Sequence, residues 1–89
     1  MTWFVYIIQS LFDGSFYVGV THDLDLRVQR HNDGWSRSTK GKRPWKLVHS
    51  EPFSTKSEAL KRESEIKRMK RRKYIENLLQ HAGGRPDGR

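Results

Sequence analysis

Residues 3–9, Trp-Phe-Val-Tyr-Ile-Ile-Gln, form an unbroken aromatic and β-branched run, which predicts a strand buried on both faces. The turn signal Phe12-Asp13-Gly14-Ser15 follows, and Phe16 to Val20 reads as the return strand of a hairpin. Thr21 or Asp23 can cap the next helix, because either side chain accepts a bond from a free N–H of the first turn. That helix is expected to run to about Asn32 and to stop before Asp33-Gly34, a left-handed terminator. A polar, basic loop from Gly34 to Pro44 leads into a third strand, Trp45 to Glu51. Ser54 or Thr55 then precedes a helical pattern reaching about Met69. A further helical stretch, about Arg71 to His81, turns Tyr74, Ile75, Leu78 and Leu79 inward, and periodicity leaves open whether the two are one helix. The order β-β-α-β-α-α predicts an α+β fold, a small three-stranded antiparallel sheet flanked by helices.

Eighty-nine residues make one domain, taken as residues 1–82, with a turn-rich tail at 83–89 expected to be disordered. A chain this short buries only roughly 60–65% of its unfolded surface, so its stability is expected to be modest. The absence of cysteine excludes a disulfide framework and a Cys-based zinc site. No stretch approaches the roughly 20 apolar residues of a membrane span. The apolar run Trp3 to Ile8 has no basic residue before it, unlike a signal peptide. A cytoplasmic protein with no membrane partner is the expectation.

Charge narrows the partner. Lys and Arg number 18 against 10 Asp and Glu, a formal charge of +8, and a field of that sign calls for a polyanion. Between Gly34 and Ser50 there is no acidic residue, while Arg37, Lys40, Lys42, Arg43 and Lys46 all fall there. The block Lys67-Arg68-Met69-Lys70-Arg71-Arg72-Lys73 is basic at six positions of seven. Such runs also occur as plain solvated faces. Nucleic acid is favoured over an acidic membrane because no hydrophobic face accompanies them. Trp35, Arg37, Lys40, Lys42, Arg43, Lys67, Arg68 and Arg71 are therefore the candidate nucleic-acid contacts. Trp35, in the polar loop, is the better stacking candidate. Trp45, beside Pro44 in a strand, is assigned to the core.

Helical geometry singles out Glu63. At roughly 100° per residue, Ala59 lies about 40° to one side of it and Leu60 and Ile66 about 60° away, so the carboxylate falls within the apolar stripe. A carboxylate so placed needs a partner. A salt bridge, for instance to Arg27, is one solution. A hard divalent cation is the other, since Mg²⁺ takes one or two protein carboxylates and completes its shell with water and phosphate oxygens. Arg27 and His31, spaced i, i+4, share a face about 40° apart at the edge of the buried stripe. An arginine there can donate two bonds to a phosphate, or simply pack its stem on the sheet. Tyr6 and Tyr17 taken singly are ordinary strand residues. A tyrosine acting as a base must fall from a pKa near 10, which requires positive charge nearby.

Together these residues change the odds. Val5-Tyr6-Ile7, Tyr17-Val18-Gly19, the helix from Asp23 to His31 with Arg27, and then Glu63 resemble the GIY-YIG nuclease superfamily over about residues 3 to 79. Val stands for Gly in the first triplet and for Ile in the second, both mild departures. The resemblance implies a divalent-metal-dependent endonuclease acting by single-metal, in-line attack of water, leaving 5′-phosphate and 3′-hydroxyl ends. It further implies that Tyr6 and Tyr17 position and deprotonate the water, Arg27 holds the scissile phosphate and His31 assists proton transfer. Glu63 would bind one Mg²⁺, with Mn²⁺ as a substitute, and Asn77 matches a helical Asn that many members carry after the glutamate. Repair-type members have a lysine just after the second triplet where this chain has Val20, so the small stand-alone members are the nearer likeness. DNA is expected more than RNA, single-stranded or branched forms included, with the protein a monomer or weak homodimer. The competing expectations are a non-catalytic nucleic-acid-binding module on the same scaffold and a small RNA- or ribosome-associated basic protein.

Overall fold

β1 (Trp3–Ser10) is the middle strand of a three-stranded antiparallel sheet, with β2 (Phe16–Thr21) on one side and β3 (Trp45–Phe53) on the other. This computed structural model describes residues 1–69 and 72–82. Arg71 and the 83–89 tail lie outside the described residues. Between the strands run α1 (Leu24–Asn32) and a single turn, α2 (Arg37–Lys40). After them come α3 (Lys56–Met69) and α4 (Arg72–Ala82). The α+β order expected from the sequence is present, with α2 added inside the predicted loop.

The two-sided burial of β1 decides the layering. Val5 and Ile7 point to one face, where they meet Val18 together with Ala59 and Ile66 of α3, and Tyr74, Ile75 and Leu78 of α4 close over them. Tyr6 and Ile8 point to the other, against Trp45, Tyr17 and the Leu24 and Val28 face of α1. A continuous apolar run, rather than an alternating one, is what such a strand requires. Among the described residues no helix is long and apolar enough to cross a membrane.

Local chemistry sets the boundaries. In the hairpin, Ser10 Oγ accepts from the N–H groups of Phe12 (3.0 Å) and Asp13 (3.1 Å), and Gly14 takes the left-handed φ of +78°. The Asp13 carboxylate accepts from the hydroxyl (2.6 Å) and backbone N–H (3.0 Å) of Ser15, which lowers its pKa to about 2. Asp23 is the cap of α1, accepting from Leu26 N–H at 3.1 Å, while Thr21 Oγ1 accepts from Asp23 N–H instead. At α3 the expected serine-or-threonine cap is Thr55, which accepts from Glu58 N–H and donates to its carboxylate, both at 3.2 Å.

Two polar clamps tie the helices to β3. Asn32 donates Nδ2 to Trp45 O (3.0 Å) and accepts from Trp45 N–H (2.6 Å), a two-point tie between α1 and β3. On the opposite face Arg62 donates to both oxygens of Glu51 (2.8 and 3.2 Å), to Glu65 (3.1 Å) and to the Tyr74 hydroxyl (3.4 Å), joining β3, α3 and α4. His49 completes that group, 2.7 Å from Glu51. Burial works to raise the Glu51 pKa, but the hydrogen bonds and charges of Arg62 and His49 together win and hold it low.

Candidate active site

The site begins with a missing side chain. Tyr6 and Gly19 are opposite one another in the β1–β2 ladder, and the Tyr6 ring lies over the glycine. A Cβ at position 19 would sit 2.6 Å from Tyr6 Cζ, so only glycine leaves room for the phenol. The ring is completely buried, and its hydroxyl reaches two side chains of α1. Arg27 Nε donates to Tyr6 Oη at 3.2 Å, and Tyr6 Oη lies 2.9 Å from His31 Nε2.

The bonding pattern assigns the protons. Tyr6 Oη accepts from Arg27, which can only donate. Because Thr39 Oγ1 donates to Ser36 O, it takes the Nδ1–H of the neutral His31, which leaves Nε2 to accept the Tyr6 hydrogen. His31 Nδ1–H then donates to Thr39 Oγ1 at 2.8 Å, and Thr39 passes its hydrogen to Ser36 O at 3.4 Å. The chain thus runs Arg27, Tyr6, His31, Thr39, Ser36 in one direction. Thr39 belongs to the one-turn helix α2, whose place is held by Trp45 Nε1 donating to Thr39 O at 2.8 Å.

Electrostatics agree with that assignment. Burial lowers the His31 pKa below its usual 6.5, and the Arg27 charge lowers it further, so the imidazole is neutral. Burial also raises the Tyr6 phenol above its ordinary 10. The bond and charge of Arg27 oppose this without overcoming it, and Tyr17 and Glu63 add to the rise. At Tyr6 desolvation outweighs the guanidinium, so Arg27 alone does not bring this phenol toward neutrality. The Arg27 pKa is raised, chiefly by its bond to Tyr6.

These shifts bound the pH range of stability. A depressed His31 pKa means that the unfolded chain binds more protons between that value and 6.5, so stability is lost as pH falls from 6.5 through the folded pKa. A raised Tyr6 pKa means stability lost as pH climbs above 10. Chemical denaturation across pH should therefore show a plateau between these limits. His31→Gln is expected to flatten the acid flank and Tyr6→Phe the alkaline one. Unchanged flanks would overturn the assignment.

Tyr17 joins from β2. Its ring meets His31 edge-on at 5.0 Å and Trp45 at 6.5 Å. Glu63 approaches from α3, on the far face of the sheet, with its side chain 18% exposed. Its partner is Lys67 Nζ at 3.0 Å, not Arg27. That corrects the salt bridge considered from the sequence, since Arg27 is turned to Tyr6. Among the described residues no three His, Asp or Glu side chains gather as a metal cluster. One partly buried carboxylate is a donor set that fits Mg²⁺, which leaves most positions to water and phosphate oxygens, and does not fit zinc or a structural calcium.

The remaining predicted residues are spread more widely. Asn77 is on the exposed side of α4, a helix packed on the face opposite Tyr6. Trp35, Arg37, Lys40, Lys42 and Arg43 are exposed on the connection between α1 and β3, and Trp45 is in the core. Arg43 spends its guanidinium on Lys40 O (2.8 Å) and Asn32 O (3.5 Å), and Lys42 lies 3.7 Å from Asp13. Lys67 and Arg68 are on α3, across the sheet from that loop. Sequence reasoning passed over Arg30, Ser36 and Thr39. Together with Arg27, His31 and Trp35, Arg30 and Ser36 line a cleft of about 270 Å³. The one available signal was Arg30 at i+3 from Arg27.

Comparison with known proteins accords with this geometry. Residues 2–75 match the GIY-YIG catalytic domain. The chain belongs to that family. It is 51% identical over 73 residues to a UPF0213 protein of Staphylococcus aureus, covering 81% of this chain and 88% of the other. A UPF0213 protein of Staphylococcus saprophyticus is 47% identical over the same spans. The solution NMR structure of a UPF0213 protein from Bacillus halodurans superimposes with a TM-score of 0.56 at 38% identity, covering 89% of this chain and 83% of that one.

Proposed function

We propose that this protein is a divalent-metal-dependent endonuclease that hydrolyses phosphodiester bonds of DNA by in-line attack of water. One observation carries the reading, the directed chain from Arg27 through Tyr6 to His31 beside an open basic cleft. Arg27 uses Nε on Tyr6, and among the described residues its two terminal nitrogens make no hydrogen bond, so they are available to a phosphate.

The proton path follows from the same bonds. The attacking water must enter beside Arg27 to reach the buried Tyr6 hydroxyl, which takes its proton as its own hydrogen passes to the neutral His31 Nε2, and Thr39 holds the imidazole in the accepting tautomer. A phenol that stays protonated by itself is suited to relay rather than to store the charge. The water oxygen bonds to phosphorus as the bond to the 3′-oxygen breaks. Solvent protonates the leaving oxygen, giving a 5′-phosphate and a 3′-hydroxyl. Arg27 stabilises the growing charge on the phosphate, and Tyr17, edge-on to His31, is the second phenol that positions the water. Glu63 is the residue to hold Mg²⁺ or Mn²⁺, which when bound supplies Lewis-acid stabilisation of the phosphoryl oxygens.

The test is cleavage of matched single-stranded, duplex and branched oligonucleotides with Mg²⁺, Mn²⁺ or chelator. Cutting that requires the metal and yields 5′-phosphate ends is expected. Tight binding with no cutting of any substrate would sink the enzyme and leave a binding module on the same scaffold.

A further inference from the structure

The end of α1 builds a second feature next to the proposed chemistry. Trp35 N–H donates to Arg30 O (3.0 Å) and Gly34 N–H to His31 O (3.2 Å), with Gly34 at φ +85°. These are the two bonds of a Schellman motif, which brings the side chain after the glycine onto the residue that opens the last turn. Here those residues are Trp35 and Arg30, and the guanidinium carbon lies 4.6 Å from the indole centroid. Backbone geometry therefore fixes the indole without enclosing it. Trp35 remains 71% exposed, the arginine covering one face.

The position of the open indole gives it a use. Trp35 and Arg30 line the same cleft as Arg27 and His31. A second cleft, of about 250 Å³, shares Arg27 and Arg30 and is walled by Trp3, His22 and Lys56. Lys56 Nζ stands 5.2 Å from the Trp3 centroid, so a cation again accompanies a tryptophan there. Two arginines thus separate two clefts, each with an indole and a basic side chain.

We propose that Trp35 and Arg30 form a seat for one unpaired nucleobase adjoining the phosphate held at Arg27. The strand then continues past Arg27 toward Trp3, His22 and Lys56, so the substrate is single-stranded nucleic acid across the bond that is cut. The placing of the scissile phosphate rests on the nuclease reading. Each base has a π-face that an indole can stack, so the seat is indifferent to sequence, and in a duplex those faces are already occupied by neighbouring base pairs. At about 270 Å³ the first cleft is just below the roughly 300 Å³ at which drug-sized ligand pockets begin, room for a single base. A duplex would meet this ridge through its phosphates alone, and the indole would add nothing.

Fluorescence anisotropy in chelator separates binding from cutting. Labelled oligothymidylate and a mixed-sequence duplex are titrated with wild type, Trp35→Ala, Trp35→Phe and Arg30→Gln. Trp35→Ala should bind the single strand about tenfold more weakly and the duplex unchanged, while Trp35→Phe retains most of the affinity. Arg30→Gln should weaken both. With Trp35→Ala, equal losses on both substrates or no loss on either would overturn the seat, as would no single-strand binding by wild type. Cleavage with Mg²⁺ is scored separately. A wild type that never cuts but shows the Trp35-dependent preference removes the nuclease reading and keeps the seat. One that cuts while Trp35→Ala binds normally does the reverse. Oligothymidylate and oligouridylate compared in parallel show whether the strand is DNA or RNA.

Discussion

Glu63→Gln is expected to abolish metal-dependent cleavage, by at least about 100-fold, with the affinity for nucleic acid retained. The substitution keeps volume and hydrogen bonding and removes only the charge. If Glu63 holds the cation, the loss is the Lewis-acid contribution of several kcal/mol to the transition state, each 1.36 kcal/mol being a factor of ten. The alternative account is purely structural, because Glu63 is paired with Lys67 at 3.0 Å. That pair is an i, i+4 contact with the lysine side chain 53% exposed, and such pairs contribute only about 0.3–0.5 kcal/mol. Its loss barely changes folding and cannot produce a 100-fold kinetic effect. Cleavage measured over a range of Mg²⁺ concentrations, with denaturation curves for both proteins, decides between the two. A Glu63→Gln protein that cuts at the wild-type rate would remove the residue from the site.

Much of this arrangement was legible in the sequence, for identifiable reasons. β1 announces itself because a central strand covered on both faces must be apolar at consecutive positions, and Val5 to Ile8 are all buried. Asp23 and Thr55 mark helix starts because caps are local, and Gly34 marks an end because only a left-handed residue closes that turn. Glu63 stands out because helical periodicity is a one-dimensional property. What stayed hidden depends on partners distant in sequence. α2 has four residues and no side-chain cap bond, too short for any periodic signal. Thr39 gains its role only when α2 folds back on α1 and meets His31. Arg62 reads as one more basic residue of a helix until Glu51 of β3 and Tyr74 of α4 are set against it. The ionisation of Tyr6 was equally out of reach. Arg27 is visible in sequence, whereas complete burial of the ring, which outweighs it, is tertiary.

Gly19→Ala should be severely damaging although it adds a single methyl group. The added Cβ would lie 2.6 Å from Tyr6 Cζ and 2.8 Å from Cε1, well inside contact distance. Gly19 and Tyr6 are both buried, one on each of two hydrogen-bonded strands, so neither the ring nor the backbone has free space to move into. Overpacking of this kind costs about 1–3 kcal/mol of stability. The functional cost is larger, because relief of the clash must swing the phenol away from His31 Nε2 at 2.9 Å and Arg27 Nε at 3.2 Å. Misplacement by about 1 Å at a reacting centre costs on the order of 100-fold in rate. Cleavage should therefore fall about 100-fold at a temperature where denaturation shows the variant still folded. Val18→Ala is the control, since Val18 neighbours Gly19 but faces the Val5–Ile7 core. It should lose stability and keep its rate. A Gly19→Ala protein that is destabilised yet fully active would show that the position of the Tyr6 hydroxyl does not matter to the chemistry, and the relay through His31 would have to be abandoned.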